Sequence, residues 1–236
     1  MKNALLGIAS VLVFMPVISL AADRQVTVIT SLPFTINSPG IYVLDSDLTI
    51  DSSDAIDVNT PDVVINLNGY SIIGTNGGNS TVGVDAENVA NVIVENGRIS
   101  GFADAVFLGP SSVARNLMGS GDRGIRVLGS DCVVQNCILQ GTVKAAANGA
   151  GIRIEAREGT NESTSRCEVT GCRVSGFSLG IVSFTSEDDA MVHNFVTNCE
   201  LGLSLSDTDC YQGNVATGCT KAFSSGIEIG HENGHN

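Results

Sequence analysis

The sequence predicts an all-β solenoid, a stack of coils of about 20 residues with three short strands in each. Three observations lead there. Six segments align on one slot: Val92 to Asn96, Ser112 to Asn116, Cys132 to Asn136, Cys167 to Gly171, Ala190 to Asn194 and Cys210 to Asn214. A third apolar piece closes the units: Ala105 to Leu108, Gly124 to Val127, Gly151 to Ile154, Gly180 to Ser183 and Gly202 to Leu205. All these pieces are short, rich in β-branched residues, alternating in polarity and separated by Gly, Asn, Ser or Asp, and helical spacing never persists beyond the first segment.

The elements follow in order. Lys2 precedes an uncharged apolar run from Ala4 to Ala22, and Ser19 to Ala21 offers the small residues of a cleavage site, so residues 1–21 read as a signal peptide. One domain, 22–236, remains, with an N-terminal cap at about 23–45, about seven to nine coils, and a C-terminal strand and tail at 224–236. Two insertions, 142–150 and 155–165, flank the strand ending at Ile154. The chain has 25 acidic against 12 basic residues, which excludes a phosphate-tracking nucleic-acid binder. Once the signal peptide is removed, nothing long and apolar enough to span a membrane remains.

Physics accounts for the recurring slot. Equivalent residues of adjacent coils lie about 4.8 Å apart, so inward Val, Ile and Leu form continuous files. The Asn slot marks a sharp bend needing left-handed backbone, which Asn and Gly tolerate best. Stacked Asn side chains can hydrogen-bond along the axis. Replacing Asn116 or Asn136 by Ala is therefore expected to cost about 1–3 kcal/mol.

The file of Asn96, Asn116, Asn136, Asn194 and Asn214, with Gly171 in the same slot, resembles the asparagine ladder of right-handed parallel β-helix proteins of the pectate-lyase-like superfamily. The segment Ile56 to Gly74 is similar to the opening coils of exported bacterial members. The resemblance spans about residues 27 to 230. It implies a single-stranded right-handed parallel β-helix whose Gly-Ile-x-Ile sheet lines a polysaccharide groove, and it fixes no activity, because the superfamily includes lyases, hydrolases, epimerases and adhesins.

On that face, alternation points Ile125, Val127, Ile152 and Ile154 inward and Arg126 and Arg153 outward in one slot of adjacent coils, with Phe107 before them and Val182 and Ser204 after. Two arginines that close need a carboxylate or an anionic ligand. Lys144, Arg157 and Arg123 add cations on the same flank, with Glu155, Glu158 and Glu162 beside them. The matching chemistry is β-elimination of a uronate polysaccharide, with Arg153, Arg126 and Lys144 as catalytic candidates and Arg157, Arg123 and Phe107 as substrate-binding candidates. An arginine base needs a strongly lowered pKa, and the bland reading pairs both arginines with Glu155.

Other signals are weaker. Glu187, Asp188 and Asp189 with His193 look faintly like the paired acids of the polygalacturonase branch, but Asp189 fits a coil-start slot shared with Asp131 and Asp209. His231 to His235 satisfies H-E-x-x-H literally, without the amphipathic helix that places two zinc ligands on one face, so no metal site is assigned. Six aspartates between 45 and 62 would suit calcium, but their spacing matches no calcium loop, and a solvated acidic cap is expected. No cofactor is expected, with calcium as the alternative. The seven cysteines would stack as Cys132 on Cys167, Cys137 on Cys172 and Cys199 on Cys219, with Cys210 left over. Export permits disulfides, and Cys199–Cys219 is the favoured bond, free buried thiols being the alternative.

The sequence thus supports a secreted or periplasmic protein acting on or binding a glycan, with elimination of an acidic polysaccharide as the leading chemistry. The alternative is a non-catalytic surface or periplasmic protein with a binding or structural role.

Overall fold

The structure, a computed structural model, describes residues 26–51, 53–75, 80–141, 149–156, 164–184, 186–229 and 234–235. The segment expected as a signal peptide lies outside them. Every described segment of regular structure is a strand, and every pairing between strands is parallel. Twenty-four strands join in one hydrogen-bonded sheet, and Thr164–Ser165 pairs separately with Ser186–Glu187. The arrangement is consistent with a solenoid.

The pairings run as three ladders. One passes through Val63–Asn66, residues 92–95, 113–115, Val133–Gln135, Glu168–Thr170, Ala190–Val192 and Cys210–Gln212. A second passes through Ser71–Gly74, residues 98–100, 118–121, Ile138–Gly141, Arg173–Ser175, Phe195–Thr197 and Val215–Thr217. The third takes Phe34–Ile36, Ile56–Val58, Val82–Ala86, residues 104–108, 125–127, Ala150–Glu155, Leu179–Phe184, Leu201–Ser204 and Lys221–Ser224. Val26–Ile29 and Gly40–Leu44, in the segment expected as a cap, are themselves paired in parallel.

Alternation along each strand builds the core. Val94, Ala114, Val134, Val169 and Met191 stack in one buried file, and Val106, Ile125, Ile152, Ile181 and Leu203 in another. Each fully buried aliphatic side chain contributes about 1.5–3 kcal/mol relative to exposure, so these files carry most of the stabilisation.

Two rows of corners are built from single left-handed residues. Asn96, Asn116, Asn136, Gly171, His193 and Gly213 form one file, with φ of 61°, 54°, 53°, 65°, 53° and 63°. Asp62, Asn91, Ser111, Asp131, Arg166 and Asp188 form a second, at φ between 55° and 62°. The first file corrects the expected ladder. Glu168 pairs with Ala190, so the last coils are displaced by one residue from the sequence alignment. Asn194 and Asn214 are not at the bend. They point inward, in the slot occupied by Cys137 and Cys172, whereas Asp189 and Asp209 occupy the slot of Cys132 and Cys167 rather than that of Asp131.

The inward asparagines are fully used. Asn194 Oδ1 accepts from Cys172 N at 2.9 Å, and its Nδ2 donates to Val169 O at 2.8 Å and to Asn214 Oδ1 at 3.0 Å. Asn214 Nδ2 donates to Met191 O at 2.8 Å. Asn116 and Asn136, by contrast, are exposed at the bend, and Asn116 Nδ2 donates to Asn96 Oδ1 at 3.2 Å.

The disulfide expectation is also corrected. The cysteines stack as anticipated, but all seven are free thiols. Side chains on parallel, in-register positions project side by side, which is poor geometry for a bridge. The thiols find carbonyls instead: Cys132 Sγ donates to Gly109 O at 3.1 Å, Cys167 Sγ to Gly129 O at 3.3 Å and Cys137 Sγ to Gln135 O at 3.4 Å. The hydrogen bond that Cys167 gives to Cys132, and then burial, raise the Cys167 pKa; the bond to Cys172 and burial do the same for Cys137. Burial pushes Cys199 up to about 11.

Two outcomes follow from this interior. Asn194→Ala should lower unfolding free energy by about 3 kcal/mol, because it orphans a buried amide and a buried carbonyl, whereas Asn136→Ala should cost only about 1 kcal/mol through its left-handed backbone. Equal losses in urea denaturation would contradict the displaced register. Unfolded protein prepared without reductant should titrate all seven thiols with a chromogenic disulfide reagent.

Candidate functional site

The third ladder carries one outward file along its length: Thr35, Asp57, Asp85, Phe107, Arg126, Arg153, Val182, Ser204 and Ser224. Acids stand at one end and cations in the middle. Arg126 lies in register with Arg153, as expected from the repeat.

Glu155 holds the pair together. It follows Arg153 by two residues and so projects on the same side of the strand. Its Oε1 accepts from Arg126 Nε at 3.0 Å and Nη2 at 2.5 Å, and its Oε2 accepts from Arg153 Nε and Nη2, both at 2.6 Å. One carboxylate therefore balances two guanidiniums, leaving one positive charge on a face where the arginine side chains are 24% and 27% exposed. Each guanidinium also covers an aromatic ring: Arg126 sits 4.6 Å from the Phe107 centroid and Arg153 5.0 Å from that of Phe184. Phe107 is buried under Arg126, so its place is that of a platform for the guanidinium rather than a surface open to substrate.

Arg123 is drawn away from this pair by Asp104, at 2.5 Å. Asp104 is almost wholly buried, and its Oδ1 has no hydrogen-bond partner. Burial pushes its carboxyl up to about 6, against the lowering influence of Arg123 and Arg126. The sequence reading missed Asp104, Asp85 and Phe184. A one-residue register shift at Ser120/Gly121 brings Asp104 opposite Arg123, where a uniform repeat of 20 would have set it against Gly124. Lys144 and Arg157 lie outside the described residues.

The chemistry available to Arg126 and Arg153 is anion binding. Short, charge-assisted contacts to Glu155 hold both guanidiniums in place and occupy the N–H groups that face it. Partly shielded arginines of this kind hold a carboxylate or sulfate through paired N–H groups.

At the acidic end, ligand oxygens of Asp54, Asp57 and Asp85 lie within 4.8 Å of one another, close enough to hold a divalent cation through hard oxygen donors. Two are already engaged: Asp54 Oδ1 accepts from Val82 N at 2.7 Å, and Asp85 Oδ1 from Glu87 N at 3.1 Å. Burial, followed by repulsion from Asp54, raises the Asp57 carboxyl; burial is also the largest cause for Asp85. The expected acidic cap is thus partly folded into the outward file.

The remaining motifs disperse. Asp189 points into the core, where its Oδ1 accepts from Cys167 N at 2.8 Å, and burial raises its pKa; Asp188 and His193 stand at separate exposed corners. They form no acid pair around a reacting bond. Of His231 to His235, residues 231–233 lie outside the described residues, and Gly234–His235 is a strand paired with Val215 and Ala216, not part of a metal-binding helix.

No protein-family model matches the chain, and no curated protein matches it.

The buried acid gives this site a pH signature. Because the Asp104 pKa is raised in the folded state, its stabilising contribution is complete below its ordinary value near 4 and is lost as pH rises through about 6. Relative to Asp104→Asn, the native protein should lose about 2–3 kcal/mol between pH 4 and pH 7 in urea titrations. A constant difference across that range would contradict the assignment.

Proposed function

We propose that this is an exported, right-handed parallel β-helix of the pectate-lyase-like type, with coils of about 20 residues, that binds an acidic, uronate-bearing polysaccharide on the face of Arg126 and Arg153. The parallel ladders and the files of left-handed corner residues support the fold reading. One observation carries the functional reading: two in-register guanidiniums share the single carboxylate of Glu155 and keep a net positive charge, in a chain whose overall charge is strongly negative. A glycan carboxylate would complete the ion cluster without displacing Glu155.

Binding stands ahead of β-elimination in this reading. Elimination requires a base at the carbon next to the uronate carboxylate, and the Arg126 and Arg153 N–H groups are already committed to Glu155. Lys144, which precedes the Ala150–Glu155 strand in sequence, is then the residue left for that part. The non-catalytic surface or periplasmic role considered from the sequence agrees with a purely binding face.

Alginate, polygalacturonate and other uronates should each be offered to the mature protein, with and without calcium, following heat of binding and ultraviolet absorbance of unsaturated ends. Saturable binding, weakened at least tenfold by Arg153→Ala, with flat absorbance is the expected result. Rising absorbance abolished by Arg153→Ala would establish elimination instead. Absence of binding to every uronate would overturn the proposal.

A further inference from the structure

The second ladder also presents an outward file: Ser71, Arg98, Met118, Ile138, Arg173, Phe195 and Val215. Met118, Ile138 and Phe195 are 44%, 45% and 41% exposed, an unusual concentration of large apolar side chains in water. Parallel to it runs a row of small polar residues, Ser100, Ser120, Gln140, Ser175, Thr197 and Thr217. A groove of about 820 Å³ crosses the near end of this face, lined by Tyr70, Ser71, Arg98, Asn116, Met118 and Ile138, among others. Asp47 on its wall is committed to the Ser71 amide at 2.8 Å.

The charge pattern is the second observation. Among the described arginines, Arg115 pairs with Glu95, Arg123 with Asp104, Arg126 and Arg153 with Glu155, and Arg166 with Asp131. Arg98 and Arg173 form no ion pair with any described carboxylate. Arg98 Nη2 reaches only Met118 Sδ, at 3.5 Å, and the Arg173 guanidinium lies 5.7 Å from the Phe195 ring centroid. With acids twice as numerous as bases, both exceptions fall in one file, three ladder steps or roughly 14 Å apart.

We propose that this face is a second binding site, which takes a strand of acidic polysaccharide laid along the stack, its carboxylates on Arg98 and Arg173 and its sugar faces on Met118, Ile138 and Phe195. The hydroxyl and amide row suits a ligand rich in hydroxyls. An extended peptide would dock by adding to a sheet edge, but the backbone of these strands is already consumed by parallel neighbours on both sides. A nucleic acid would call for many more cations than two. The inference rests on the acidic-glycan class proposed above, but on none of the same residues.

The test is calorimetric titration of the mature protein with polygalacturonate and alginate, using dextran as the neutral control and poly-glutamate as the acidic peptide control. Arg98→Gln combined with Arg173→Gln should weaken polyuronate binding at least tenfold in a background where Arg126→Gln and Arg153→Gln have disabled the first face, with an unchanged melting temperature. Met118→Ser with Ile138→Ser should weaken it several-fold in that background. If the first-face variant binds no polyuronate while the native protein does, the second site is overturned and the first stands. Equal affinity for poly-glutamate would overturn the glycan assignment in favour of an acidic peptide. Silence of the native protein toward every polyuronate would overturn both.

Discussion

The molecule depends on one constraint: each strand must lie in parallel register on its equivalent in the preceding coil. Parallel hydrogen bonding satisfies the backbone only if the chain turns sharply at fixed places, and it turns there through single residues of left-handed conformation. Asn96, Asn116, Asn136, Gly171, His193 and Gly213 carry out that turn in one file. Once the corners repeat, the side chains between them have little choice. Each inward residue meets its counterpart above and below, and each outward residue joins a stripe running the length of the stack.

Both candidate faces are products of that geometry. Arg126 and Arg153 would repel one another anywhere else on a sheet surface; here the ladder forces them together, and Glu155, two residues along the same strand, supplies the counter-charge. The same forced adjacency sets Arg98 beside Met118 and Arg173 beside Phe195. The first face neutralises half of its arginine charge on Glu155. The second leaves its cations to solvent, and for that reason offers more to an incoming anion.

Much of this was legible in the amino-acid sequence, since strand pieces, inward files and the Arg126/Arg153 pairing all follow from a repeat with period-two alternation. The alignment failed at Ala190 for a definite reason. Asn serves both at a left-handed bend and in a buried stack, so Asn194 and Asn214 mimicked the corner slot. Gly213, immediately before Asn214, was the available clue, because a corner prefers glycine. Asp104 falls opposite Arg123 as soon as Ala105 is aligned with Gly124; what residue spacing does not mark is its burial. The stacking of the cysteines is legible in the repeat, and the free thiols follow from it, because in-register side chains project side by side rather than toward each other.

The change of interior chemistry along the stack has a consequence for assembly. In the middle coils two inward slots hold Cys132 and Cys167, and Cys137 and Cys172; in the next coils the same slots hold Asp189 and Asp209, and Asn194 and Asn214, each bracing the amide of the coil before. A solenoid of interchangeable coils could skip one, or pair with the wrong neighbour, at little penalty. Here a polar coil slipped by one residue would bury an Asp or Asn against an apolar side chain, away from the amide it braces. The polar stack therefore fixes the register of each late coil on its neighbour to the single residue.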